Sequence, residues 1–493
     1  MRKAFDRQQR LDCPSVSGIP LNLNCRNETI PILRALQHVY SQPAVRDSIL
    51  RAIARDVNGR SSPRRGRPGM SYWEILVLAA TRLGCNYNYD QLQDLAENHR
   101  ALRQIMGIGE WENEEQDKKK FDWRRIASNV YLLRPETIAQ INQALIQEGH
   151  RLEPEAARTV RGDSFVAETN VHFPTDNSII RDGLRKILSL AAMLAGLAGV
   201  GGWRQHKHLY RTARKLSREI ERIAARKGNG YQQRLKRPYR ELLELAEIVC
   251  GRADTLRQTL KKRGIAGPEA LALDHELDTF LQRTRHICGT ARRRVLYGET
   301  IPHREKLFSI FEPHTQMYKR GKAGEPMQFG RLVLLYEDGA GFITHYYLLP
   351  RDQSDRDVVV QQTREAQRRH QGLIRRASFD RGFHSPDNQE ELAKIIEHPC
   401  LPVCGVHKAA QQEKTASVEF REARQSHPGI ESAIGALQSG NGLERCRDRT
   451  ERGFARYIGL GMLGRNLHVL GKLLIAREAP GCQAAHSRRQ SAA

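Results

Sequence analysis

The sequence predicts an α/β protein: a mixed-sheet core, an α-helical N-terminal domain before it, and a large α-helical insertion after the first core strand. Three observations predict this class. Apolar residues recur at helical spacing from Ser71 to about residue 150, strand-like patterns start at Thr159 and return between Gly330 and Cys404, and the stretch between them reads almost wholly helical.

Taken in order, residues 1–70 mix Pro, Ser, Asn and Arg around one short amphipathic stretch, Ile30 to Ile53, and read as a partly disordered basic arm. The arm ends in Arg60-Ser-Ser-Pro-Arg-Arg-Gly-Arg-Pro-Gly, where Arg65 and Arg67 have the form of extended hooks for a narrow minor groove; a solvated linker is the plainer reading. Over 71–150, Ser71 is an N-cap with Glu74 three residues on, and Ile75, Leu76, Leu78, Ala79 and Leu83 form a buried face. Shorter helices follow at Tyr89–Glu97, Arg100–Met106, Arg124–Leu133 and Pro135–Gln147, a bundle able to present a helix to DNA without a sharp helix-turn-helix signature.

The first part of the core covers 151–182, with a strand expected over Phe165–Phe173 and Asp163 near its start. The insertion, 183–305, breaks at Gly199-Val-Gly-Gly, Gly228-Asn-Gly and Gly264-Ile-Ala-Gly-Pro, and Lys and Arg crowd between its apolar stripes, as a clamp on DNA would require. The rest of the core, 306–475, opens with a hairpin, Gly330–Tyr336 and Phe342–Pro350. A helix over Asp357–His370, a strand over Leu373–Phe379, a helix over Pro386–Ile396 and a short strand from Cys400 follow. A helix opened by Pro428 carries Glu431 at the edge of its apolar stripe, a last helix over about 453–475 packs as core, and 476–493 reads as a disordered basic tail.

Lys and Arg number 80 against 56 Asp and Glu, a surplus of 80 − 56 = 24 positive charges, which favours a polyanionic partner. The longest apolar run, Ile187 to Val200, falls short of the roughly 20 residues of a spanning helix, so no membrane partner is expected. The first residues lack a secretory pattern and the nine cysteines make no disulfide framework, so a cytoplasmic, nucleoid-associated location is expected. His398, Cys400, Cys404 and His407 offer soft ligands within ten residues, but lack the loop knuckle of a zinc site.

Three carboxylates carry the chemistry. Asp163 lies in a strand pattern, Asp380 closes another, and Glu431 rides a helix; such a set can hold two Mg²⁺ or Mn²⁺ ions against a phosphodiester. Plainer roles exist for each: a turn residue at Asp163, a turn cap at Asp380, and Glu444 as a rival to Glu431.

The order strand, hairpin, helix, strand, helix, strand, helix is ribonuclease H-like, and the chain resembles the DDE transposases of bacterial insertion sequences, most closely the assorted ISNCY-type group. The resemblance runs from Ser71 to about Ile475 and rests on Arg161-Gly-Asp-Ser-Phe-Val-Ala-Glu, Ser378-Phe-Asp-Arg-Gly-Phe and Gly429-Ile-Glu-Ser-Ala-Ile-Gly-Ala-Leu-Gln. It implies a ribonuclease H-like catalytic core with Asp163, Asp380 and Glu431 as catalytic metal ligands, and a transposase that binds element ends and cleaves and joins strands. It also implies double-stranded DNA partners (terminal inverted repeats and target) and a homodimer in the synaptic complex. Arg445, Arg449 and Arg452, after the glutamate helix, are candidate phosphate contacts. Two other readings stay open: a non-catalytic, transposase-derived DNA-binding protein, and a structure-selective nuclease on the same fold.

Overall fold

A computed structural model describes residues 2–5, 11–59, 69–111, 120–264, 267–319, 327–403 and 417–478. The chain divides into two compact units, one formed by Met1–Asn170 with Arg331–Ala493 and the other by Val171–Gly330.

The first unit begins with α1 (Thr29–Ser41) and α2 (Pro43–Asn58), which extend the single amphipathic stretch expected there into two helices. Both have a deeply buried face: Ile32, Leu33, Leu36 and Ile53 are sealed from water. The partner of α1 is remote in sequence, namely α16 (Glu451–Glu478) at the other end of the unit. They meet so closely that a Cβ on Gly471 would collide with the backbone of Pro31.

Next come α3 (Tyr72–Gly84), α4 (Tyr89–Asn98), α5 (Arg100–Ile105), α6 (Trp123–Val130) and α7 (Pro135–Leu152). The expected capping box is present: the Ser71 hydroxyl accepts from the Glu74 amide at 3.1 Å and the Glu74 carboxylate accepts from the Ser71 amide at 2.7 Å. Helix α3 is buried on every side, and Gly84 lies against Gly464 of α16 with no room for a side chain at Gly464.

The strands are β1 (Thr159–Glu168), β2 (Gln316–Lys319), β3 (Met327–Asp338), β4 (Ile343–Leu348), β5 (Arg376–Phe379) and β6 (His398–Cys400). They form a mixed, open, six-stranded sheet in the order β2-β3-β1-β5-β6, with β4 also on β3. The hairpin β3–β4 is antiparallel, whereas β1, β5 and β6 run parallel. Asn466 of α16, fully buried, brackets β4 by accepting from the Ile343 amide at 2.8 Å and donating to its carbonyl at 3.0 Å.

Four more helices complete the frame: α12 (Asp355–Arg369), α13 (Pro386–Ala393), α14 (Val418–Ser426) and α15 (Gly429–Gly435). The expected strand over Phe165–Phe173 is displaced: β1 starts at Thr159 and ends at Glu168, so Asp163 lies at its middle. The physical reason is that Arg161 and Asp163 are polar yet strand-borne: Arg161 meets Glu337 and the Ser426 carbonyl, and the core on that face begins at Phe165. Strand β5 starts at Arg376, three residues later than expected, because Gln371 and Gly372 adopt left-handed backbone that ends α12 in a turn.

The second unit holds α8 (Asp176–Leu197), α9 (His206–Arg226), α10 (Tyr231–Lys262) and α11 (Pro268–Ala291), with β2 paired to the first residues of β3. Helix α8 begins at Asp176 rather than 183, because Thr175 and Ser178 cap it reciprocally. The apolar run Ile187–Val200 supplies core: Ile187, Leu188, Leu190, Ala191 and Leu194 are buried. Among the described residues no helix is long and apolar enough to cross a membrane.

Burial holds three histidines of the first unit, His345, His370 and His468, down to about 4 and so ties the unit to pH. His345 on β4 donates from Nε2 to the Gln362 amide oxygen at 2.9 Å in an almost dry site, and burial pushes its imidazole down to about 4. The unfolded chain, with His near 6.5, therefore takes up a proton between about pH 6.5 and 4 that the folded chain refuses. Stability is full above that window and falls through it as pH drops, at a slope of about 1.4 kcal/mol per pH unit for each such histidine. A His345→Gln variant followed by urea unfolding from pH 7 to 4.5 is expected to show a shallower pH dependence by about that slope; parallel curves would refute it.

Candidate functional site

The parallel pairing of β1 with β5 ends at the register pair Gly162 and Phe379, and one step beyond it stand Asp163 and Asp380. Asp163 thus continues β1, and Asp380 is the first residue past β5, on neighbouring segments of a sheet whose strands lie about 4.8 Å apart. The strand period of two fixes their side. Gly162 backs onto the Phe379 ring on one face, and Phe379 packs there with Tyr336 and Phe383. The other face receives Arg161 and Asp163 from β1 and Ser378 from β5, and Asp380 follows directly after that strand.

That second face is the one α15 covers. Phe165 and Ala167, on the same side of β1 as Asp163, share a core with Ile430, Ala433 and Leu437, the buried stripe of α15 and the π turn after it. Glu431 sits in the first turn of α15 with its side chain exposed. His427, between α14 and α15, joins these elements: its Nδ1 lies 3.1 Å from the Ser378 hydroxyl. Burial holds His427 below the ordinary histidine range, aided by Arg424, while the negative charges of Asp380 and Glu431 pull the other way. Both carboxylates therefore act on one imidazole.

Arg161 fixes the approach of that helix. Its Nε donates to Glu337 of β3 at 2.6 Å and its Nη1 to the Ser426 carbonyl at 2.8 Å. Its guanidinium occupies the place a Cβ on residue 429 would take, so a side chain at Gly429 would displace it. Glu337 is 2 % exposed, and its burial raises its pKa against the opposing pull of Arg161. Arg161, Glu337 and His427 were not singled out from the sequence; the available signal was an Arg one pleat before Asp163, on the same face.

The plain alternatives can be weighed against these contacts. The Asp380 side chain makes no capping hydrogen bond to the turn Arg381–Phe383 and is exposed. Asp163 accepts from the Ser164 amide at 2.7 Å, and the Ser164 hydroxyl turns to the opposite face to donate to Asp355 at 2.8 Å. Glu444 lies elsewhere: its carbonyl accepts from the Glu168 amide, five residues along β1 from Asp163. Five strand residues span about 16 Å.

Of the basic candidates, Arg445 is bridged to Glu168 in both backbone and side chain, its Nη2 2.8 Å from the carboxylate. Arg449 and Arg452 are exposed and take part in no ion pair among the described residues. Arg65 and Arg67 lie outside the described residues, as do Cys404 and His407. Burial pushes the Cys400 thiol up to about 11, so it is protonated at neutral pH.

Oxygen donors of this kind suit a hard divalent cation. Asp163, Asp380 and Glu431 fit one in the chemistry of their carboxylates. Among the described residues, however, no group of three or more His, Cys, Asp or Glu side chains is already gathered so as to hold a metal ion. No family model, curated protein or solved structure matches the chain.

Proposed function

We propose that the chain is a DNA transposase with a ribonuclease H-like catalytic core, which binds the ends of an insertion sequence and cleaves and joins DNA strands there. The observation that supports this reading is the parallel pairing of β1 with β5 up to Gly162 and Phe379, which makes Asp163 and Asp380 the next residue on each segment, while the charges of Asp380 and Glu431 both act on His427. The sheet order β4-β3-β1-β5-β6, a hairpin followed by parallel strands, supports the fold reading. The surplus of 24 positive charges supports a DNA partner.

Asp163, Asp380 and Glu431 would together hold Mg²⁺ or Mn²⁺, two ions in the full site. Bound there, such ions lower the pKa of water or a 3′-hydroxyl and stabilise the departing oxygen. The chain's own residues do the rest. Arg161 and His427 hold the turn into α15 against β1 and β5, so the register of Glu431 relative to the two aspartates is set by fixed hydrogen bonds. Arg449 and Arg452, uncommitted to carboxylates, are suited to phosphates of the bound strand, whereas Arg445 must first release Glu168. Two ends must be joined, so a homodimer is the expected working form, in the cytoplasm with the nucleoid.

The test uses the full chain and DNA that flanks its gene. Wild type is expected to nick the element ends with Mg²⁺ or Mn²⁺, and Asp163→Asn to abolish nicking while end binding persists. Wild-type protein that binds but never nicks would point instead to a non-catalytic DNA-binding protein. Cleavage of branched DNA without any terminal sequence would point to a nuclease.

A further inference from the structure

Helix α9 is unlike its neighbours in the second unit. Its 21 residues carry seven Lys or Arg against two Glu, a balance of 7 − 2 = +5. Several cations elsewhere in that unit are answered: Arg257 pairs with Asp274 and Asp278, Arg237 with Glu241, Arg292 with Glu247 and Lys186 with Glu276. On α9, Lys207, Arg211, Arg214, Arg218, Arg222 and Arg226 are all exposed, and none joins an ion pair among the described residues.

Their spacing makes them one surface. At 3.6 residues per turn these six side chains and Lys215 fall within an arc of about 120°, and the ribbon runs about 28 Å along the helix. Glu219 and Glu221 stand at its two borders. The opposite side of α9, Ala213, Leu216, Ser217 and Ile220, is buried against α8 and α10.

A basic amphipathic helix ordinarily suggests a membrane surface, which takes up the apolar face while lipid phosphates meet the cations. Here the apolar face is already used by the unit's own core, so insertion would cost that core. What remains is a straight row of unanswered cations, a match for a regular line of phosphates. Duplex DNA offers one charge per about 1.7 Å of axis.

We propose that α9 is a backbone-tracking surface for duplex DNA, holding it through phosphates without reading sequence. This is independent of the carboxylate site, because it requires neither a divalent ion nor a terminal sequence. The test measures binding of the full chain to an arbitrary-sequence duplex of about three helical turns, by fluorescence anisotropy without divalent ions, across a salt series. Replacing Arg211, Arg214, Arg218 and Arg222 together by Gln is expected to weaken binding at least tenfold and to lower the salt slope by about 3 to 4, since each phosphate contact contributes about 0.9. The same four positions changed to Lys should keep the slope. Glu219→Arg, which widens the ribbon, should steepen it by about one contact. An unchanged slope in both the Gln variant and Glu219→Arg would overturn the proposal. So would a Gln variant that keeps duplex binding but loses binding to phosphatidylserine vesicles, which would assign the ribbon to lipid.

Discussion

Asp448→Ala is expected to cost about 3–5 kcal/mol of stability, because it strips the shared counter-charge from two buried guanidinium groups. Arg82 Nη2 lies 2.9 Å from one Asp448 oxygen and Arg456 Nη2 3.2 Å from the other. The Asp448 side chain is wholly buried and that of Arg82 2 % exposed. Around them the rings supply what hydrogen bonds do not: Arg82 stacks over Tyr89 at 4.0 Å and Tyr457 at 5.4 Å, and Arg456 over Tyr131 at 4.6 Å. Burial drives the Tyr89 phenol upward, so it stays neutral and offers its face. The cluster joins α3, the end of α6, the segment after α15 and the start of α16. Its loss should therefore shift the urea midpoint of the whole unit, not of one helix. A shift worth under about 1 kcal/mol would mean that water reaches the guanidiniums and that the cluster is an ordinary surface network.

None of that cluster was legible in the sequence, since Arg82 and Asp448 lie 366 residues apart and each alone reads as a solvated charge. What was legible is local. Ser71 with Glu74 marked the start of α3, Glu337-Asp-Gly-Ala-Gly marked the β3–β4 turn, and the leucine spacing of α16 marked a core helix. The errors have one cause. Residues 29–58 looked like a weak stretch because the surface that makes α1 a core helix belongs to α16. Strand character was legible from Thr159, but Arg161 and Asp163 break the apolar pattern of β1, and only the non-local partners Glu337 and Ser426 make Arg161 tolerable there. At the candidate site the sequence indicated which carboxylates to compare; Arg161 and His427, which bring α15 to the strands bearing two of them, emerge only from the fold.

Asp380→Asn is expected to separate two roles that a single activity measurement confounds. If the carboxylate served the turn Arg381–Phe383, its loss would cost about 1 kcal/mol, the usual effect of removing a cap. The side chain makes no such bond and is exposed, and Asp163, one residue past the Gly162–Phe379 pair on β1, carries the same charge. Two like charges side by side oppose folding, so neutralising one should leave the urea midpoint unchanged or raise it by a few tenths of a kcal/mol. Cleavage should respond oppositely. A ligand carboxylate contributes several kcal/mol in the transition state, so strand nicking is expected to fall on the order of a thousandfold. Stability kept while cleavage collapses is the pattern of a group retained for chemistry at the expense of the fold. A destabilised variant that still nicks would assign Asp380 to the turn and remove it from the site.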